Sequence, residues 1–193
     1  MTTVGTPQTA IVRYLIDAGR STFIVRAFAT GMLSAFAHSP KIAIPDLEGE
    51  VRWNSSALED ASSRLVIRAS SLTVTDDISD KDRREIERKM HDEVLEAESF
   101  PEIVYECPRV SSVQKMGEGL YVVTLNGELS LRGVTRYQPI LARVTLKDDT
   151  LRAAGEFSVR QSDYQINPVT AAGGTIKLKD ELRLSFDIAA RKA

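Results

Sequence analysis

The second half of the chain is written in a period of two. From Tyr121 the odd positions read Tyr121, Val123, Leu125, Gly127, Leu129, Leu131 and Gly133, while Thr124, Asn126, Glu128, Ser130 and Arg132 stand between them. Successive side chains of an extended strand point to opposite faces, so such a row has one buried and one wet side. Ile140, Ala142, Val144 and Leu146 repeat the pattern against Arg143, Thr145 and Lys147. Leu151, Ala153, Gly155, Phe157 and Val159 do so against Arg152, Glu156, Ser158 and Arg160, and Leu182, Leu184, Phe186 and Ile188 against Arg183, Ser185 and Asp187. Strands of this kind in succession predict an antiparallel sheet wrapped round one interior. Closed into a barrel of about eight strands, such a sheet can hold a small ligand if its inward residues are small. Gly127, Gly133, Ala142 and Gly155 therefore predict a partly hollow, apolar interior, which Gly127→Leu or Gly155→Leu is expected to block without unfolding the barrel, provided each glycine has ordinary strand dihedrals.

The first half is less regular. Ile11 to Ile16 and Thr22 to Phe28 read as strands joined by a turn at Asp17-Ala18-Gly19-Arg20, and Gly31 to Phe36 as a third. Lys41 to Trp53 alternates Leu47, Gly49, Val51 and Trp53 with Glu48, Glu50 and Arg52, with Pro45 marking an edge or bulge. Ser63 to Val74 is a further strand. The period then changes: Ile86, Met90 and Val94 recur at four-residue steps among charges, predicting one surface helix over about 80–98. Ser79 is its expected N-cap with Asp82 at the third helical position, and Phe100-Pro101 its stop. Residues 1–10 read as a flexible segment ahead of a single domain over 11–193.

Composition narrows the partners. A chain of 193 residues, 42% hydrophobic, can bury one substantial core. Its net charge of -2 and pI near 5.8 offer no field that attracts nucleic acid. The single cysteine, Cys107, permits no intrachain disulfide. Residues 1–10 lack the basic and apolar regions of a signal peptide and no later stretch has the length of a spanning helix, so the expected location is the cytoplasm.

Several ordered motifs resemble one family. They are Tyr14-Leu15-Ile16-Asp17 with Ser21 and Phe23, then Gly31 to His38, the segment Ala97 to Ile103, the strand pair Leu125 to Thr135, and Phe157 to Ile166. Together they resemble the YceI-like lipid- or polyisoprenoid-binding proteins, from about Tyr14 to Ala190. The resemblance implies a mainly β fold, an extended antiparallel lipocalin-like barrel with one flanking helix. It also implies a homodimer and a polyisoprenoid, quinone or fatty-acyl-like ligand in the lumen, bound without catalysis. The chain departs from the family at His38-Ser39-Pro40, where members resembling this type often carry a His-Asp-His run, and at Gln165, where glycine is common.

Parity and the resemblance together nominate the lumen residues: Phe28, Leu33, Phe36, Val51, Trp53, Leu65, Ile67, Leu129, Leu131, Phe157, Val159 and Phe186. A head group at the barrel mouth would meet His38, Tyr164 or Gln165. Each apolar candidate has an ordinary core role as its alternative. Motifs for catalysis or metal are missing: the two histidines, His38 and His91, have no HExxH or paired-cysteine context, and His91 reads as a solvated helix residue. Asp76, Asp77, Asp80 and Asp82 lack the glycine and glutamate of a calcium loop, and Gly173-Gly174-Thr175 reads as a hairpin turn. No catalytic residue, cofactor or metal is expected. An enzyme using His38 as acid or base on a lipid, and a β module binding a protein partner, are the alternatives.

Overall fold

The structure is a computed structural model that describes residues 11–30, 40–54, 56–167, 170–171 and 176–193. Its strands are β1 (Ile11–Ile16), β2 (Thr22–Arg26), β3 (Ala29–Thr30), β4 (Lys41–Ala43), β5 (Leu47–Asn54), β6 (Ser62–Arg68) and β7 (Thr73–Val74). Helix α1 (Asp80–Lys89) follows, and then β8 (Glu102–Cys107), β9 (Val110–Gly117), β10 (Leu120–Leu131), β11 (Val134–Lys147) and β12 (Thr150–Arg160). Two short strands, β13 (Thr170–Ala171) and β14 (Ile176–Leu178), precede the last, β15 (Glu181–Lys192).

The alternation closes on itself. Eight strands run in the order β1-β5-β6-β8-β10-β11-β12-β15, and β15 returns to β1 through Tyr14↔Lys192 and Ile16↔Ala190. Every one of these pairings is antiparallel, so the mainly β barrel, with one α-helix among the described residues, matches the sequence pattern. The predicted strand from Thr22 does not return alongside Ile11–Ile16. β1 and β2 instead lie end to end along β15, with the 3-10 turn Ala18–Arg20 looped out between them. The Ser21 hydroxyl donates to Asp17 O at 2.7 Å and accepts from Ala189 N at 3.0 Å, keeping both strands in one register.

Proline and a short turn shorten two other predicted strands. Pro45 separates β4 from β5, because it has no N–H for a ladder. β6 stops at Arg68, and after a 3-10 turn β7 pairs with β4. The predicted strand Gly31 to Phe36 and the Gly173-Gly174-Thr175 turn lie outside the described residues.

Helix α1 begins as its sequence predicts, with the Asp82 amide donating to the Ser79 hydroxyl at 3.1 Å. It ends earlier than 98. Met90–Val94 widens into a π turn closed by Leu95 N donating to Met90 O at 2.9 Å, and Glu96 then takes a left-handed φ of 47°. The wider turn brings both Met90 and Leu95 into the core. The helix is tied down rather than loosely packed. Arg83 Nη1 donates to Val74 O and Nη2 to Asp76 O at 2.9 Å, and Val74 N donates to Glu87 Oε1 at 2.8 Å. His91 is half-buried and donates from Nε2 to Leu72 O at 2.9 Å, so it is a structural tie and not the solvated residue its sequence context predicts.

Arg132 makes a second tie. Its guanidinium bonds Glu96 Oε1 and donates through Nη1 to Gln165 O at 2.8 Å, joining the helix exit, the β10–β11 turn and the turn after β12. Glu96, Arg132 and Gln165 all have left-handed backbones, at φ 47°, 49° and 58°, which the shared guanidinium helps to hold. Arg132→Met is expected to cost about 1–2 kcal/mol, since part of the pair is solvent-exposed. Hydrogen exchange should show faster exchange confined to the segments around Glu96 and Gln165.

Candidate functional site

The inward rows fill one end of the barrel and leave the other hollow. At the filled end Trp53 packs on Tyr121 with ring centroids 5.2 Å apart, and Val123, Leu151, Cys107 and Ala190 are fully buried beside them. Cys107 donates from Sγ to Arg109 O at 3.1 Å, and burial raises its thiol pKa, which marks an inert packing residue. Climbing from this floor, β12 presents Ala153, Phe157 and Val159, matched on β15 by Ile188, Leu184 and Leu182. These walls face a cavity of about 670 Å³.

The glycines do not create this space. An added Cβ at Gly127 would strike the Tyr105 ring and come within 2.7 Å of Glu106 O. At Gly155 it would lie 2.6 Å from Leu141 O and 2.9 Å from the Phe186 ring. Each glycine is thus a seat for an aromatic ring from a neighbouring strand, a known way of filling a sheet where a side chain is missing. The Tyr105 hydroxyl passes over Gly127 to donate to Gln138 O at 3.0 Å and Leu125 O at 3.3 Å, and burial raises its pKa. The inference from glycine to hollow, and with it the expectation that Gly127→Leu or Gly155→Leu leaves a folded barrel, is therefore overturned. Hollowness arises above these rings, where opposed rows of Leu, Val, Ile and Phe do not meet. Phe23, Phe157 and Phe186 form an aromatic cluster on that wall, at centroid distances of 6.0–6.4 Å.

Two features shape the upper end. First, β11 and β12 pair only from Ala142↔Gly155 to Lys147↔Thr150, after which β11 follows β10 and β12 follows β15. The 3-10 turn Gln161–Tyr164 sits in the resulting gap, held by Arg136 Nε donating to Asp163 O at 3.1 Å and sealed by buried Tyr164 and Ile166. Second, α1, tied to β7, and its π turn put Ile86, Met90, Val94 and Leu95 on the cavity wall. The charged lining residues are partnered: Arg64 with Glu106 at 2.9 Å, Lys89 with Glu85 at 3.6 Å, Asp76 with Lys41 N at 2.7 Å and Asp82 with the Ser79 hydroxyl at 2.7 Å. No group of three or more His, Cys, Asp or Glu among the described residues could hold a metal ion.

A closed eight-stranded barrel, floored at one end and flanked by one helix over an apolar lumen, coincides with a family match over residues 14–190 to the YceI-like domain. The chain belongs to the YceI-like family. Among solved structures it resembles BcnA of Burkholderia cenocepacia, with a TM-score of 0.66 at 14% identity over 90% of this chain and 98% of that one. A polyisoprenoid binding domain from Saccharophagus degradans gives 0.64 at 13% identity, over 95% and 100%. A YceI protein of Campylobacter jejuni gives 0.58 at 13% identity, over 81% and 87%. At these identities the likeness is one of fold. No curated protein matches the chain.

In this YceI-like barrel, Val51, Leu65, Ile67, Leu129, Leu131, Phe157, Val159 and Phe186 stand on the cavity wall. Trp53 does not: it belongs to the floor, where Tyr121 covers it. Phe28 also lies off the wall, under the Arg183 guanidinium at 5.5 Å from its ring centroid. Leu33, Phe36 and His38 fall outside the described residues. Tyr164 is buried in the seam without lining the cavity, and Gln165 is exposed, its carbonyl taken by Arg132. Ser63 and Gln161 are among the polar residues on that wall, and Gln161, which is not one of the nominated residues, continues the odd-numbered row of Phe157 and Val159. Among the described residues no helix is long and apolar enough to cross a membrane.

The turn carrying Gln161 depends on Asp180. Ser162 donates to its carboxylate through the hydroxyl at 2.6 Å and the amide at 2.7 Å, and Arg160 Nε through 3.1 Å. The Ser162 bonds chiefly, with Arg160 beside them, hold its pKa below the ordinary 3.8. A lowered pKa means that the folded turn is favoured above the ordinary value and loses that support as pH falls through the lowered one. An NMR pH titration should show the Ser162 amide resonance shifting with a midpoint below 3.8, and Asp180→Asn should abolish the step.

Proposed function

We propose that this protein binds a long apolar or amphiphilic chain, of isoprenoid, quinone or fatty-acyl type, inside its barrel and carries it without altering it chemically. The observation that carries this reading is the cavity of about 670 Å³, walled by Leu, Ile, Val and Phe. Its size falls within the range of roughly 300–1,000 Å³ typical of small-molecule sites. Each methylene buried there contributes about 0.8 kcal/mol, so a tail needs a dry, shaped tunnel more than it needs polar contacts. Family membership and the fold shared with a polyisoprenoid binding domain support the same choice.

The test is native mass spectrometry on protein purified without detergent, followed by organic extraction. An adduct of one chain per lumen that extracts as an isoprenoid, quinone or acyl lipid is expected. Incubation with a supplied isoprenoid should return it unchanged. Protein that is empty and takes up no supplied chain, or that converts the chain to a new product, overturns the proposal.

A further inference from the structure

Gln161 is 4% exposed and lies on the cavity wall, at the end of the row that includes Phe157 and Val159. Its Nε2 donates to Lys179 O at 2.9 Å, the one partner of its side chain among the described residues. A carboxamide has two N–H donors and an oxygen with two lone pairs, so that bond leaves one donor and one acceptor adjacent to each other. The backbone beneath is fixed: Gln161 N donates to Asp180 O at 2.9 Å, and the Asp180 carboxylate holds the next residue, Ser162, at both its amide and its hydroxyl. An orienting bond on a rigid turn is the arrangement that recognition needs, because little freedom is lost when a partner arrives.

The charged lining residues stand elsewhere. Arg64 is on β6, four strands from β12 in either direction round the eight. Asp82, Glu85 and Lys89 are on α1 and Asp76 follows β7, the strand to which α1 is tied and which is itself four strands from β12 along β15, β2 and β4. Val159 and Leu182, paired in register, come immediately before Gln161 on its own wall, and Leu178 lines the cavity close by. A carboxylate or ammonium buried there would lose its hydration without meeting an opposite charge, whereas a hydroxyl would gain both its bonds.

We propose that Gln161 is the polar anchor of the lumen and that it selects a long apolar chain ending in an uncharged group that both donates and accepts a hydrogen bond, a primary alcohol above all. This rests on the lumen being the cargo site. The anchor also fixes direction: the chain lies with its tail toward the Trp53–Tyr121 floor and its hydroxyl at the Gln161 end of β12.

Isothermal titration of delipidated protein with four isoprenoids of one length separates the two ideas. The probes are farnesene, farnesol, farnesoate and farnesylamine. Wild type is expected to bind farnesol more tightly than either charged probe. Gln161→Leu should weaken farnesol by roughly threefold to tenfold, the worth of a hydrogen bond, and leave farnesene unchanged or tighter. Gln161→Met, which keeps the side-chain length, should do the same and serves if the leucine variant does not fold. If farnesene binds but farnesol responds to neither substitution, Gln161 is not the anchor and the lumen reading stands. Tighter binding of farnesoate or farnesylamine than of farnesol moves the head group to the charged lining residues and overturns the anchor. If no probe binds wild type, the lumen reading fails and the anchor with it.

Discussion

Gly127→Ala is expected to destabilise the barrel by about 3 kcal/mol or more, at the upper end of what overpacking usually costs. A single methyl group would meet the Tyr105 ring and the Glu106 carbonyl, the latter at 2.7 Å. Neither can step aside freely. The ring is tethered by its hydroxyl to the carbonyls of Gln138 and Leu125, and the Glu106 carbonyl belongs to β8, whose ladder with β10 includes Glu128↔Glu106. The measurement is the urea midpoint of the variant against wild type, with Tyr105→Ala and the double variant completing a cycle. Tyr105→Ala alone should also be costly, because it empties the space above the glycine. The double variant should be distinctly more stable than the sum of the two losses predicts, since the methyl then enters room that the ring vacated. Additive losses would mean that ring and glycine are not coupled.

Ala153→Phe is expected to abolish chain binding while leaving the barrel folded. Ala153 lies on the cavity wall opposite Ile188 and just above the floor, so a ring there occupies free space in the lumen. Ala142 supplies the contrast. It is 1% exposed and does not line the cavity, so Ala142→Phe has no space to fill and should destabilise by roughly 1–3 kcal/mol or more. Farnesol titration together with urea unfolding reads both variants. The expected pattern is at least tenfold weaker binding with a small stability change for Ala153→Phe, and the reverse emphasis for Ala142→Phe. Equal destabilisation by the two would show that the cavity wall at Ala153 is as tightly filled as the floor.

Much of the wall was readable because strand parity is a local property. Leu129, Leu131, Phe157, Val159 and Phe186 stand on the cavity wall as period-two counting predicts, because a residue's face in a strand is decided by its neighbours along the chain. The same count carried one step further reaches Gln161. Tyr164 and Gln165, by contrast, are nominated by the motif Phe157 to Ile166 and not by parity. The left-handed turn at Gln165 then turns its side chain out to solvent. Trp53 also obeys parity, but the same inward row serves both floor and lumen, and a sequence does not say at which height along the barrel a rung lies. Tyr121 decides it for Trp53 by packing across from another strand.

What the sequence by itself determined was the kind of element and the side each residue faces: alternating strands, one amphipathic helix capped at Ser79, and enough ordered motif to mark the YceI-like family. The tertiary structure alone decided where the interior is filled and where it is hollow. Gly127 and Gly155 illustrate the reason, for the space above a glycine belongs to whatever a non-local strand brings over it, here Tyr105 and Phe186. The seam between β11 and β12 is of the same nature: two uninterrupted alternating strands look alike whether they pair along their whole length or part at Ala142. Packing volumes and strand divergence are sums over distant residues, and no local period encodes them.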